Sequence, residues 1–324
     1  MILAGDIGGT KTLIGLFDFH KQRPVPVDIR SFPTTAYPSL SAIIEEFYLT
    51  QKRRPPITAA AFGIAGPVIN QNAQMTNVTW CVDAAELTSS FAFPNVRLLN
   101  DLEATAYGVS VLEPHELKTL QSGGRNIEGN MAVIAAGTGL GGSVLHYLGG
   151  RHTPLASEVG HSDFAARTDR DIDFLRFIRA RARRAEIEHV LSGPGLVNLA
   201  DFTHQHERCP VMAHTDAPAR PADVSKAALA GTCPRCVEAM EMFTEAYGAV
   251  AGNLALTAVT TGGVFLGGGI APRILPALET GRFIQAFNDK EPMRALLEAM
   301  PVHVILNAQT GLVGAAVYAN TAWS

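Results

Sequence analysis

The sequence predicts an α/β protein made of two related lobes. The chain has 324 residues, more than a single hydrophobic core usually needs. Buried-looking apolar runs alternate with helical patterns, as in α/β proteins. A strand, a glycine-rich turn and a second strand occur at 2–17 and again at 131–148. This internal similarity predicts two lobes, each opening with a hairpin, with a nucleotide bound in the cleft.

Each lobe's elements are predicted from apolar periodicity and turn residues. In the first hairpin the glycines of 6–11 lead directly into the apolar run 13–17. A Walker-type phosphate loop would need a helix at that point, so the pattern indicates a β-hairpin. Further strands are predicted at 59–65, 96–99 and 263–266. Helices are predicted after Pro38, from 102, near Pro272 and over 311–318, the first with Leu40, Ile43, Ile44 and Phe47 on one face.

Composition and charge exclude several classes of protein. The net charge is −4 and no charged tail is present, so nothing global indicates nucleic acid or an anionic membrane. The basic stretch 176–184 alternates with apolar residues, which favours a solvated helix face. No apolar run approaches the roughly 20 residues that span a bilayer. Because Asp6 comes too early for a signal peptide, we expect a cytoplasmic protein without nucleic-acid or membrane partners.

The four cysteines do not predict a disulfide framework in a chain of this size. Cys233 and Cys236 form a single C-x-x-C pair, whereas Cys81 and Cys209 stand isolated along the chain. Zinc would need two more ligands at suitable spacing. A structural role for the pair is therefore favoured over a metal or redox site.

The two glycine turns are candidate phosphate sites. Gly8-Gly9-Thr10 and Gly137-Thr138-Gly139 would each offer backbone N–H groups and one hydroxyl, a combination that binds phosphate. One such turn is equally compatible with a plain hairpin, but two favour a nucleotide. Lys11 either contributes charge to the phosphates or is solvated. Asp6 would be repelled by phosphate unless Mg²⁺ intervenes, and its alternative role is to cap the turn.

Asp101 is the candidate general base. It follows a predicted strand, where α/β proteins place active-site groups, and Asn100 beside it adds a neutral hydrogen-bonding side chain. A carboxylate here could accept the proton of a sugar hydroxyl, or the pair could only cap the next helix. Glu158, His161 and Glu188 are candidate readers of sugar hydroxyls, although such residues are often structural.

Together these segments resemble the bacterial ATP-dependent glucokinases, in the branch related to hexokinase and the actin-like ATPases. The matching segments cover nearly the whole chain in the family's order: Gly5–Thr10, Leu99–Asp101, Ala136–Gly141, Glu158–His161, Val190–Leu199 and Gly262–Ile270. The run from Val190 to Leu199 is the most specific of them. The resemblance implies two RNase-H-like α/β lobes around a central cleft, the first formed by 1–110 with 301–324 and the second by 111–300.

The resemblance also implies roles at the matching positions. Asp101 would be the catalytic base for transfer from ATP to glucose, with Mg²⁺ held by Asp6, directly or through water. The sugar ligands would be Asn77, Asn100, Asp101, Glu158, His161 and Glu188. The ATP-binding residues would be Gly5, Asp6, Ile7, Gly8, Gly9, Thr10, Gly137, Thr138, Gly139, Gly267 and Gly268. The family is typically homodimeric, so a homodimer is expected.

The sequence differs from the patterns of related sugar kinases at two places, and these differences indicate which of two families it resembles more. Lys11 stands where close relatives often carry Asn, and a second family of sugar kinases and repressors, often called ROK, favours Lys. That family has a cysteine-rich zinc motif after the sugar-binding His, whereas Ser162-Asp163-Phe164-Ala165-Ala166 follows His161 here. The zinc-binding branch is therefore disfavoured.

Three alternative functions stay open. The first is a kinase of another hexose or of an amino sugar. The second is a sugar-responsive regulator, which is disfavoured because the first strand begins at Ile2 and leaves no room for a DNA-binding helix-turn-helix. The third is an actin-like ATPase that hydrolyses ATP without sugar.

Overall fold

The computed structural model describes residues 1–20, 23–51, 55–75, 78–124, 126–205, 209 and 220–321. Contacts within the chain define two compact units. The first comprises Met1–Glu116, His152–Ala156 and Asn307–Ser324, and the second comprises Leu117–Arg151 and Ser157–Leu306. The divisions at 116/117 and 306/307 compare with 110/111 and 300/301 predicted from the sequence, and residues 152–156 are grouped with the first unit.

The first unit contains both strands and helices. They are β1 (Ile2–Ile7), β2 (Lys11–His20), β3 (Arg23–Pro33), α1 (Leu40–Leu49), β4 (Ala59–Ile64), β5 (Val68–Ile69), β6 (Asn72–Gln74), β7 (Cys81–Asp83), α2 (Ala84–Phe91), β8 (Val96–Asn100), α3 (Asp101–Val109) and α11 (Thr310–Thr321).

The main sheet of this unit places three strand ends at one edge. Its strand order is β3-β2-β1-β4-β8. β1 pairs antiparallel with β2 through a tight turn, which confirms the predicted hairpin. β1 and β4 are parallel with Ile7 opposite Ile64, and β4 and β8 are parallel with Ile64 opposite Asn100. The residues that follow Ile7 and Asn100 therefore leave the sheet from the same edge.

The helices of the first unit cover this sheet with apolar side chains. Leu40, Ile43, Ile44 and Phe47 of α1 are all buried, as the sequence predicts. α11 packs against α3 where small residues let the two backbones approach. A Cβ atom at Gly314 would collide with the backbone carbonyl of Ala104, and one at Gly108 would collide with that of Thr310. Glycine is therefore required at this helix crossing.

The second unit is also α/β. Its elements are β9 (Leu117–Gln121), β10 (Met131–Ala136), β11 (Leu140–Leu148), α4 (Asp169–Arg179), α5 (Gly193–His204), α6 (Pro221–Leu229), α7 (Pro234–Ala258), β13 (Gly263–Gly267), α8 (Leu275–Leu278), α9 (Arg282–Asn288), α10 (Arg294–Glu298) and β14 (Val302–Ile305). Its sheet has the strand order β11-β10-β13-β14-β9, whereas β12 (Arg151–Leu155) is grouped almost entirely with the first unit. β10 and β11 form the second predicted hairpin, and β13 runs parallel to β10 with Gly267 opposite Ala135.

The core of the second unit surrounds the 25-residue helix α7. The hydroxyl of Tyr247, which is fully buried on α7, donates a hydrogen bond to the carbonyl of Ile134 in β10 at 3.1 Å. Phe174 and Ile178 of α4 are buried, whereas the arginines of 176–184 are exposed. The predicted exposure of these arginines is confirmed, but α4 ends at Arg179, so the last three follow the helix and do not lie on its face. Among the described residues, no helix is both long and apolar enough to cross a membrane.

Replacing Gly314 by Ala is expected to destabilise the protein by about 1–3 kcal/mol, because the added methyl group must push α11 away from α3. Thermal unfolding measured by calorimetry would detect this as a lower Tm. Gly124→Ala is the control, since a Cβ atom there meets no atom within 4 Å. Equal Tm values for the two variants would contradict the proposed close approach.

Candidate functional site

The first-unit cluster consists of Asp6, the turn Gly8–Lys11, Asn100 and Asp101. The turn is closed by a hydrogen bond from Gly8 N–H to the Lys11 carbonyl at 3.0 Å. The buried Thr34 supports it, since its hydroxyl donates to the Gly8 carbonyl at 2.7 Å and its N–H donates to the Thr10 carbonyl at 3.0 Å. Thr10 and Lys11 remain exposed. The turn thus presents its hydroxyl and its cation to solvent on a braced backbone.

Asp6 carries a strongly perturbed carboxyl group. Burial is the main cause, and repulsion by the Asp101 carboxylate adds to it, so that the pKa of Asp6 rises from 3.8 to about 6 despite the nearby positive charge of Lys11. A Cβ atom at Gly311 would lie 3.2 Å from Asp6 Oδ2, so α11 forms one wall of this carboxylate's surroundings. The structure therefore brings together Asp6 and Asp101, which are far apart in the sequence.

Asn100 and Asp101 lie together at the start of α3. Asn100 is the N-cap of α3, and its Oδ1 accepts the Leu102 N–H at 2.9 Å while its Nδ2 donates to the Gly66 carbonyl at 3.2 Å. Asp101 begins the helix with an exposed side chain whose Oδ1 also accepts the Leu102 N–H, at 2.8 Å. Both side chains therefore contact the same backbone N–H, and Asn100 holds the N-cap position.

The second-unit cluster is formed around the turn Gly137–Gly139. Gly137 N–H donates to the Gly139 carbonyl at 2.8 Å, and the Gly137 carbonyl accepts the Gly193 N–H at the start of α5, also at 2.8 Å. The glycine segment after β13 lies against the same strand end. Gly268 has a φ of +79°, and a Cβ atom there would collide with the Ala136 carbonyl. Three separate chain segments therefore meet at this turn.

Glu188 is attached directly to this turn. Its Oε2 accepts the Leu140 N–H at 2.8 Å. A Cβ atom at Gly139 would lie 2.6 Å from the same oxygen, so glycine is needed for the carboxylate to approach. Gly160 packs against the Leu140 carbonyl in the same way, which brings the segment containing Glu158 and His161 to the same strand. The predicted residues Glu158, His161 and Glu188 thus lie in one region of the second unit.

Glu186 is a residue of this cluster that the sequence analysis missed. Its Oε2 lies 2.7 Å from His161 Nδ1, and its Oε1 accepts from Arg184 Nη2 at 2.8 Å. Arg184 also donates to the His161 carbonyl at 2.8 Å, so the three residues form a closed network. The signal in the sequence was the pair of carboxylates in Glu186-Ile187-Glu188, separated by one buried residue.

The acidic surroundings of His161 stabilise its protonated form. The hydrogen bond to Glu186 is the main reason that the pKa of His161 is raised, and the charges of Glu188, Glu186 and Glu158 act in the same direction. In return, the His161 and Arg184 hydrogen bonds lower the pKa of Glu186. Glu186 therefore engages the Nδ1 side of the His161 ring.

Three of the predicted ATP-binding residues are buried inside strands. Gly5 and Ile7 are buried within β1, and a Cβ atom at Gly5 would lie 2.5 Å from Phe62 Cδ1, so Gly5 is required for packing. Gly267 is buried at the end of β13. Asn77 lies outside the described residues.

One prediction about the cysteines is wrong. Cys209 is isolated along the chain but not in space, since its Sγ lies 3.8 Å from Cys233 Sγ and 3.7 Å from Cys236 Sγ. Cys209 therefore lies beside the start of α7. The pair Cys233 and Cys236 therefore has a third cysteine beside it, which the isolation of Cys209 along the chain did not indicate.

Two α/β units that each carry a glycine turn beside polar residues are typical of proteins with the actin-like ATPase fold. A ROK family glucokinase from Streptomyces griseus, solved in complex with glucose and AMPPNP, shares this fold with a TM-score of 0.65 at 22% identity, over 98% of this chain and 99% of that one.

The family follows from closer matches. The Glucokinase family model matches residues 3–322, and the chain belongs to this family. The chain is 38% identical to a glucokinase of Synechocystis sp. over 98% of this chain and 97% of that protein. The crystal structure of a glucokinase from an Antarctic psychrotroph superposes with a TM-score of 0.88 at 30% identity, covering 98% of each chain. The predicted family and fold class are thereby confirmed.

The substitution Glu186→Gln is expected to lower the pKa of His161, because it removes the carboxylate charge that stabilises the imidazolium ion. An NMR titration of the His161 ring protons, assigned with His161→Gln, would measure the change. The ring of His303 lies outside this cluster and serves as the internal control. A His161 titration that does not move would contradict the role given to Glu186.

The substitution Asp6→Asn is expected to stabilise the protein at neutral pH but not in acid. The folded-state pKa of about 6 exceeds the ordinary value of 3.8, so the wild type loses stability as the pH rises from about 4 to about 6 and the carboxyl group ionises. A shift of about two units corresponds to about 3 kcal/mol. The Tm difference between variant and wild type, measured without nucleotide or Mg²⁺, should therefore grow across this range.

The control for this experiment is Asp18→Asn, which alters an exposed carboxylate on β2. Its Tm difference from the wild type should show no comparable growth between pH 4 and pH 6. A constant Tm difference for Asp6→Asn over the same range would show that the Asp6 carboxyl is not perturbed.

Proposed function

We propose that the chain catalyses the phosphorylation of D-glucose by ATP to give glucose 6-phosphate, with Asp101 as the general base. Membership of the glucokinase family supports the reaction. The observation that supports the role of Asp101 is its position, since an exposed carboxylate begins α3 at the sheet edge where the Gly8–Lys11 turn also begins. A base must lie within hydrogen-bond reach of the hydroxyl proton that it accepts, and a carboxylate near the proposed phosphate turn supports this assignment.

The chemical step assigned to Asp101 is a proton transfer. The O–H bond of the glucose 6-hydroxyl breaks, and its proton passes to the Asp101 carboxylate. The oxygen forms a bond to the γ-phosphorus while the bond between that phosphorus and the bridging oxygen breaks, so that ADP leaves. A positioned base of this kind contributes about 10²–10⁴-fold to the rate. The remaining catalysis comes from positioning and from charge stabilisation by the phosphate turns.

The second-unit cluster is assigned to recognition of the sugar hydroxyls. Glu188 has one oxygen engaged by Leu140 N–H and a second that can accept from a hydroxyl. His161 offers Nε2, and Glu158 is exposed beside it. A site whose polar groups are positioned to hydrogen-bond particular hydroxyls discriminates strongly against a sugar that lacks one of them. Asn100 and Asn77 are also proposed as ligands of the sugar hydroxyls.

Mg²⁺ fits the chemistry of the first-unit cluster. Burial and the Asp101 charge disfavour the ionised form of Asp6, and a nearby divalent cation would reverse that penalty. Asp6 would hold the ion through water, as Mg²⁺ usually retains several of its waters. When bound with ATP, Mg²⁺ supplies positive charge to the phosphate oxygens. The homodimer expected from the family resemblance remains a prediction.

The decisive variant is Asp101→Asn, which is expected to lower kcat by about 10²–10⁴-fold while glucose still binds. The asparagine oxygen can still accept the Leu102 N–H, so α3 keeps its first turn. A coupled assay for glucose 6-phosphate gives kcat, and calorimetric titration gives glucose affinity. Near-normal turnover in a folded variant would exclude Asp101 as the base.

Glu103→Gln is the matched control, since Glu103 accepts a hydrogen bond from the Asn100 backbone at the same helix end and has no assigned chemical role. It should keep most of the activity.

The same assay run with mannose, fructose and glucosamine, and with ADP and polyphosphate, would identify the preferred acceptor and donor. Hydrolysis of ATP that is independent of any sugar would favour an actin-like ATPase instead.

A further inference from the structure

A cluster of four soft metal ligands lies in the second unit, apart from the residues assigned to the reaction. His204, Cys209, Cys233 and Cys236 place one ligand atom each within 4.8 Å of all the others. All four residues are buried, with relative exposures of 6%, 6%, 1% and 0%. We propose that these residues bind a structural Zn²⁺ ion. The proposal does not depend on the function argued above.

The distances agree with tetrahedral coordination. Zn–S bonds of about 2.3 Å and Zn–N bonds of about 2.0 Å place ligand atoms at tetrahedral angles about 3.8 Å apart for two sulfurs and about 3.5 Å for sulfur and nitrogen. The observed separations are 3.8 Å for Cys209 to Cys233, 3.7 Å for Cys209 to Cys236, and 3.3 Å for His204 Nε2 to Cys233. A disulfide would need about 2.05 Å between sulfurs, and all three cysteines are free thiols.

The ligands are oriented by their own elements. His204 is the last residue of α5, and its Nδ1 lies 2.6 Å from the Ala200 carbonyl. Nδ1–H therefore donates to that carbonyl, which leaves the Nε2 lone pair directed at the cysteines. Such a second hydrogen bond is the usual support of a metal-binding histidine. Cys233 is the N-cap of α7, and the Cys236 backbone N–H is directed at its sulfur.

The ligand set and its spacing favour zinc over other metals. Three thiolates and one imidazole form a soft donor set without oxygen, which suits Zn²⁺ rather than Mg²⁺ or Ca²⁺. Four residues separate His204 from Cys209, and two separate Cys233 from Cys236. Two closely spaced pairs joined by a longer segment are the usual arrangement of structural zinc sites.

Binding would replace three S–H bonds with Zn–S bonds and release three protons to the solvent, leaving the site with a net charge of −1. No oxidant or reductant is required. The ion would join the end of α5 to the start of α7, where Thr203 already donates to the Arg235 carbonyl at 2.9 Å. α5 starts at Gly193, on the Gly137 turn, about 17 Å away along the helix. The ion would therefore support the fold without contacting the reactants.

The first test is the metal content of the full chain, purified without a histidine tag. Mass spectrometry of the metals should find about one zinc per chain in the wild type and in Cys81→Ser, whose cysteine is exposed and lies in the first unit. Cys233→Ser and His204→Gln should contain markedly less. A strong chelator should lower the Tm of the wild type. After the chelator has been removed and Mg²⁺ restored, kcat at 25 °C, measured on the protein that stays folded, should differ from that of untreated protein by less than about twofold.

The second test does not require any variant to fold. Reduced, zinc-depleted wild type titrated with Co²⁺ should develop the intense visible bands of tetrahedral cobalt with a thiolate-to-metal charge-transfer band, and Zn²⁺ should abolish them. Protein that contains no zinc when purified and gives no such bands would overturn the proposal. So would mass-spectrometric detection of a disulfide among Cys209, Cys233 and Cys236 in protein purified under reducing conditions.

Discussion

The alignment of parallel strand ends determines where chemistry can take place in the first unit. Ile7 lies opposite Ile64, and Ile64 lies opposite Asn100, so the chain leaves β1 and β8 at the same edge of the sheet. A shift of one residue in either pairing would turn the side chains of that strand to the other face. The closeness of Asp6 and Asp101 depends on this register, and so does the assignment of a proton acceptor beside a phosphate turn.

The fold also requires other groups to approach the backbone closely at a few positions, and glycine residues make this possible there. Gly139 allows a carboxylate oxygen of Glu188 to reach the Leu140 N–H, and Gly314 allows α11 to lie directly on α3. The two glycine turns look alike in sequence but are supported differently. Thr34 braces the first through its side chain, whereas the N-terminus of α5 holds the second through the Gly193 N–H. The two turns, although similar in sequence, are therefore held in place by different parts of the chain.

Electrostatics distinguishes the two clusters. In the first unit, burial and a second carboxylate oppose the ionisation of Asp6. In the second unit, Glu186 and its acidic neighbours favour the protonated form of His161. The group of three thiols and one imidazole between α5 and α7 differs from both, because its members are buried and contact one another and the backbone at short range.

The sequence by itself determined the features that depend on neighbouring residues. Both hairpins, the buried face of α1 and the exposure of the arginines of 176–184 follow from local periodicity and turn chemistry, and the structure confirms them. The family is equally a property of the sequence, because its matching segments extend along nearly the whole chain.

Only the tertiary structure decided which distant side chains meet. It brought Asp101 to Asp6, Glu186 to His161, and Cys209 to the C-x-x-C pair that the sequence analysis had regarded as lacking further ligands. The physical reason is that hydrophobic patterning specifies which face of an element is buried, not which element packs against it. Partners separated by long stretches of chain are selected by the packing of whole helices and strands, and no local pattern records that choice.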